Sequence, residues 1–69
     1  MSEFHVVLQG ERVEVPEGET VAEFRERFDR DPDGGIVVFD ETGPWRYLYP
    51  EYEVQEHMPS GHDVEFEDD

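Results

Sequence analysis

Phe4, Val6 and Leu8 alternate with His5, Val7 and Gln9, the period of two that gives an extended chain one buried and one open face. After a two-residue turn expected at Gly10-Glu11, the alternation resumes at Arg12 with Val13 and Val15 inward, so the first fifteen residues predict a β-hairpin. Pro16 closes the second strand because it has no N–H to give to a ladder. The period then lengthens: Val21, Phe24 and Phe28 stand at i, i+3 and i+7, one apolar stripe along a helix. Thr20-Val-Ala-Glu23 supplies its start, with the Thr20 hydroxyl accepting from a first-turn amide and Glu23 reaching back to the Thr20 N–H. Arg25, Arg27 and Arg30 lie toward the carbonyl end, where positive charge suits the helix dipole. Asp31-Pro32 marks the expected stop, since Pro disfavours the helical conformation of the residue before it.

Ile36-Val-Val-Phe39 follows the flexible Asp33-Gly34-Gly35, and its unbroken apolar run predicts a central strand covered on both faces. Asp40 to Pro44 turns the chain into a strand from Trp45 to Tyr49, in which aromatics alternate with Arg46 and Leu48. Pro50 to Gly61 reads as irregular apart from one helical turn around Glu51 to Val54. Asp63 to Glu67 alternates again with Val64 and Phe66 inward, before the acidic tail Glu67-Asp68-Asp69. The order β-β-α-β-β-β places one helix on one face of a mixed sheet, an α+β roll forming a single domain over residues 1–69.

Composition changes the picture in one respect. Twenty acids face five bases, all arginine, for a formal charge of −15, and there is neither Lys nor Cys. For a folded radius of about 14 Å and an unfolded radius of about 33 Å, Coulomb's law in water makes self-repulsion oppose folding by about 10 kcal/mol at 0.1 M salt and about 5 kcal/mol at 1 M. The stability typical of this length is about 3–10 kcal/mol, so the charge predicts a fold that depends on salt. Acid-rich, Lys-free chains of this kind resemble the proteins of halophilic archaea, which keep molar KCl in the cytoplasm. The same sign excludes nucleic acid and anionic membrane surfaces as partners, because both need Lys and Arg at the contact. No basic and apolar leader is visible at Met1-Ser-Glu-Phe4, and no apolar run approaches the roughly 20 residues that span a bilayer. A cytoplasmic monomer is the expectation.

The order of elements and three short stretches resemble the β-grasp fold of ubiquitin-like proteins. Val15-Pro-Glu-Gly-Glu-Thr-Val21 is similar to the passage from their second strand into the helix cap. Glu51-Tyr52-Glu53-Val54-Gln55 is similar to the Asp-Tyr-x-Ile-Gln segment before their last strand, and Ser60-Gly61-His62-Asp63-Val64-Glu65-Phe66 to the Gly-Asp-x-Val-x-Phe start of that strand in small sulfur carriers. Conjugating members act through a terminal Gly-Gly, whereas this sequence ends Phe66-Glu67-Asp68-Asp69 and has Gly34-Gly35 internal. The resemblance therefore implies a ubiquitin-like module that does not conjugate.

Chemistry-bearing constellations are few. His57 and His62, with Glu56 and Asp63, have donors adequate for zinc but not a recognised spacing, and two surface loop histidines account for them better. No nucleophile elbow and no phosphate loop is present, and 69 residues leave little room for a pocket with two working carboxylates. Neither catalysis nor a cofactor or metal is expected. The aromatics carry more. If Leu48 faces the core, Trp45, Tyr47 and Tyr49 share the outer sheet face with Val7, an apolar patch of the side chains that most often anchor protein partners. The expected function is protein docking through Val7, Trp45, Tyr47 and Tyr49. The structural reading is that these rings wrap the edge of a small core, with Tyr52 tying down the loop through its hydroxyl. Two other functions stay open: an acidic inhibitor or nucleic-acid mimic that binds a basic protein, and a small accessory subunit of an enzyme complex.

Overall fold

The computed structural model describes residues 4–67. Seven elements follow one another: β1 (His5–Leu8), β2 (Glu11–Glu14), α1 (Val21–Arg27), β3 (Ile36–Asp40), β4 (Gly43–Leu48), α2 (Val54–His57) and β5 (Asp63–Phe66). The five strands form one mixed sheet in the order β2-β1-β5-β3-β4. β1 and β5 run parallel, and the other three neighbouring pairs run antiparallel. The architecture is α+β. Among the described residues no helix is long and apolar enough to cross a membrane.

The hairpin forms as its alternation requires, with Val6, Leu8 and Val15 buried. Its turn sits one residue earlier than expected. Leu8 pairs with Glu11, and Gln9 and Gly10 take the two corner positions with φ of 53° and 83°. Two positive φ values match the right-handed twist of a hairpin, and Gly10 holds the one that a side chain tolerates least.

All four first-turn amides of α1 are satisfied. Glu23 N–H donates to Thr20 Oγ1 and Phe24 N–H to Thr20 C=O, while Thr20 N–H donates back to Glu23 Oε1. Val21 and Ala22 N–H donate outward to the carbonyls of Tyr52 and Pro50, so the helix start and the loop after β4 are one hydrogen-bonded unit. The helix stops at Arg27, earlier than the Asp31-Pro32 stop expected from Pro. Phe28 is its C-cap and Asp29 turns left-handed at φ 60°. Arg30 N–H then bonds Arg25 C=O and Asp29 N–H bonds Glu26 C=O, a Schellman closure that ends the helix before Pro32 can.

Two further expectations are corrected. The helical turn near Glu51 forms three residues later, as α2, because Glu53 is still extended and bridges Thr20. β3 is interior to the sheet but not covered on both faces: Ile36 and Val38 are buried, while Val37 and Phe39 are only half-buried on the outer face. The core lies wholly between sheet and helix, where Val21, Phe24, Ile36, Val38, Leu48, Val54 and Val64 are sealed from solvent.

Candidate functional site

β4 carries the three aromatics proposed for docking, and its register with β3 decides how they are displayed. Ile36 pairs with Leu48, Val37 with Tyr47 and Val38 with Arg46, but Phe39 pairs with Pro44. Trp45 is thus the extra residue of a β-bulge, a device that bends the strand and re-aims a side chain. Trp45, Tyr47 and Tyr49 are 41%, 38% and 50% exposed, so all three rings reach solvent.

They do not form one surface. Tyr47 and Tyr49 meet edge to face at 4.9 Å, Tyr49 meets Tyr52 at 5.4 Å, and Tyr52 stacks on His57 at 3.9 Å. Trp45 instead meets His62 at 6.0 Å and lies 5.5 Å from the Arg46 guanidinium. Val7 is farther away. It is half-buried on β1 in a cross-strand row with Arg12, Asp63 and Phe39, whereas Tyr47 lies in the row of Val37 and Glu65. At about 4.8 Å per strand, three strand spacings separate β1 from β4, and the exposed Asp63 and Glu65 stand on the strand between. The structure therefore brings Tyr47 and Tyr49 together, sets Trp45 beside them on another partner, and leaves Val7 apart.

Tyr47 is the best supported of these rings. Its Cζ and hydroxyl crowd the Cα of Gly35, where an added Cβ would lie 2.6 Å from either, and Leu48 C=O would lie at 2.3 Å. Only glycine lets the strand pair here and the phenol lie across it. Partial burial, then the charges of Glu67 and Tyr49, raise the Tyr47 phenol above its ordinary value of 10.0. It stays a neutral hydrogen-bonding ring.

Tyr52 ties the loop down as expected, but through its ring and main chain: besides stacking on His57, it accepts from Val21 N–H at 2.8 Å and donates to Tyr49 C=O at 3.0 Å. His57 donates from Nδ1 to Glu53 C=O at 3.0 Å, and a carbonyl partner requires that nitrogen to carry the proton. His57 and His62 thus face different aromatic rings, and among the described residues no group of three or more His, Asp or Glu gathers as metal ligands.

The sequence reading missed Arg25. It is fully buried on α1, donating from Nε to Asp31 C=O at 2.5 Å and from Nη1 to Gly35 C=O at 2.7 Å, with its guanidinium 5.5 Å from the Phe66 ring. The signal was the spacing: Arg25 follows Phe24 and lies four residues after Val21, on the margin of the apolar stripe. Comparison with protein-family models, with curated proteins and with solved structures gives no match to this chain.

Proposed function

We propose that this chain is a ubiquitin-like β-grasp module that docks a partner protein through the aromatic end of β4 and works in concentrated salt. The strand order β2-β1-β5-β3-β4, with its single parallel pair between first and last strands and a helix packed across one face, supports the fold reading. So does the Glu51–Gln55 segment, whose Tyr52 carbonyl caps α1 and whose Gln55 Nε2 holds Val15 C=O at 2.9 Å. The Gly34-Gly35 pair is held against Arg25 and Tyr47 within the fold, so this pair does not itself supply the flexible end that conjugation needs. The acid-rich, Lys-free composition supports an origin in a halophilic archaeon and a cytoplasmic setting.

The observation that carries docking is the exposure of Trp45, Tyr47 and Tyr49 in a chain whose remaining surface is dominated by carboxylates. Rings of this size are left in water at a cost in free energy, and Trp and Tyr supply most of the energetic anchors at protein interfaces. The test compares the wild-type chain with Tyr47→Ser/Tyr49→Ser as bait in high-salt lysate of the source cells, after circular dichroism shows both folded. A protein retained by the wild type and lost by the variant is the expected result. Equal retention overturns aromatic docking. Retention that survives loss of the rings but disappears when exposed acids are changed to Gln favours the acidic-inhibitor reading.

A further inference from the structure

The sheet has two edges, β2 and β4, and they differ. On β2, the bond from Val15 N–H to Phe4 C=O at 2.9 Å sets the alternation, so the main chains of Arg12 and Glu14 face outward. That edge is guarded at one end. Arg27 Nη2 occupies Glu14 C=O at 2.9 Å, and Glu19 holds the same guanidinium at 2.9 Å.

On β4 the alternation is set across β3. Glu67 N–H donates to Gly35 C=O at 3.0 Å, so Gly35, Val37 and Phe39 address β5 while Ile36 and Val38 address β4. Their partners Leu48 and Arg46 are committed to that ladder. Tyr47, between them, turns its main-chain N–H and C=O to the open edge. Pro44 and the bulge at Trp45 blunt the start of this edge, and Tyr52 N–H occupies Tyr49 C=O. Among the described residues, what stays open on β4 is a short window centred on Tyr47 and flanked by the half-exposed rings of Trp45 and Tyr49.

We propose that this window takes an extended, arginine-bearing segment of the partner protein as a sixth strand beside β4. The inference rests on the docking reading above and names its chemistry. Main-chain pairing supplies the affinity of strand addition, and alternate side chains supply its specificity. Charge selects the occupant. A second copy would bring −15 against −15, whereas a basic segment meets a chain with twenty acids, Glu67 beside Tyr47 among them. Arginine also suits the rings, because a guanidinium stacks on an aromatic face. The fold already uses that contact repeatedly, as where Arg46 lies 5.5 Å from Trp45 and Arg30 4.6 Å from Phe66.

The test uses the full chain, labelled with nitrogen-15, in molar KCl, and a short synthetic peptide of alternating Arg and Val with blocked ends. Two controls accompany it: the same peptide N-methylated at alternate amides, and an alternating Glu–Val peptide. The Arg–Val peptide should slow hydrogen exchange at the Tyr47 amide, and N-methylation should weaken binding by about tenfold, the equivalent of one or two lost hydrogen bonds. The Glu–Val peptide should not bind. No binding of the Arg–Val peptide, equal binding of the N-methylated peptide, unchanged exchange at Tyr47, or equal binding of the Glu–Val peptide each overturns the sixth strand. If capture of the partner still requires Tyr47 and Tyr49 after any of these outcomes, docking through the rings stands and only the edge pairing falls.

Discussion

Arg25 shows how much one side chain can hold in a small domain. Its guanidinium closes the carbonyls of Asp31 and Gly35, the second of them in the buried interior. Arg25→Met keeps most of the volume but removes both donors, and should cost about 2 kcal/mol; an unchanged denaturant midpoint at fixed salt would refute that role. Arg25→Lys should not restore the loss, because one ammonium cannot match the fork that reaches both carbonyls. Asp29 makes the opposite case. It holds the left-handed position of the Schellman closure with a side chain that glycine would dispense with, and it places negative charge at the carbonyl end of α1. Asp29→Gly should therefore stabilise the chain by about 0.5–1 kcal/mol, raising the melting temperature by about 4 °C. At the β3–β4 turn, the Asp40 carboxylate accepts from Thr42 Oγ1 at 2.7 Å and from Thr42 N–H at 2.8 Å, and these bonds hold its pKa below the ordinary 3.8. A depressed carboxyl contributes stability above its unfolded value and loses it as the pH falls through the lower folded value. The Thr42 amide shift should accordingly titrate with a midpoint below 3.8, and a midpoint at or above that would remove the ionised cap.

At the scale of elements, the ends are specified more sharply than the middles. The capping box at Thr20 and Glu23 was legible because it is local: three residues of separation fix both hydrogen bonds. Thr20→Ala should cost about 1 kcal/mol, read as a shift of the denaturant midpoint. The end of α1 was placed too late, since the Pro32 signal is strong while the closing bonds of Asp29 and Arg30 carry no residue-type signature beyond an Asp tolerant of positive φ. The bulge in β4 was not legible either. Alternation along one strand states which residues share a face, but which of them pairs with Phe39 is a property of two strands and their turn. The close fit of Gly35 beneath Tyr47 has the same origin. Gly35→Ala should displace the ring and the β4 carbonyl together, lowering stability and raising Trp45 or Tyr49 exposure; an unperturbed β4 amide spectrum would contradict it.

For the whole molecule, charge and size set the conditions of folding. A Cα radius of gyration of 10.8 Å corresponds to a sphere of about 14 Å, the radius on which the self-repulsion argument rests. Raising KCl from 0.1 to 1 M should therefore stabilise the chain by about 5 kcal/mol, most of the stability a domain of this length possesses. The expected observation is a chain largely unfolded in dilute buffer and cooperatively folded in molar salt. Equal melting temperatures at both concentrations would show that the acids are compensated within the fold. The proposed strand addition at β4 belongs to this scale too, because a −15 surface would discourage pairing between copies and favour a partner of opposite sign.

The sequence by itself determined the inward positions of the hairpin and the last strand, the helix start, the α+β order and the net charge from which dependence on salt is expected. Each follows from spacing along one segment or from a sum over residues, neither of which needs a neighbour in space. Only the tertiary structure decided that Arg25 goes inside, that Trp45 is thrown out of register toward His62, and that Val7 lies three strands from Tyr47 with Asp63 and Glu65 between. These depend on strand order and register, set when the parallel β1–β5 pair inserts the end of the chain between strands made earlier in it. A residue's own neighbours in sequence hold no record of that insertion, and it is what separates one predicted patch into two groups of rings and a distant valine.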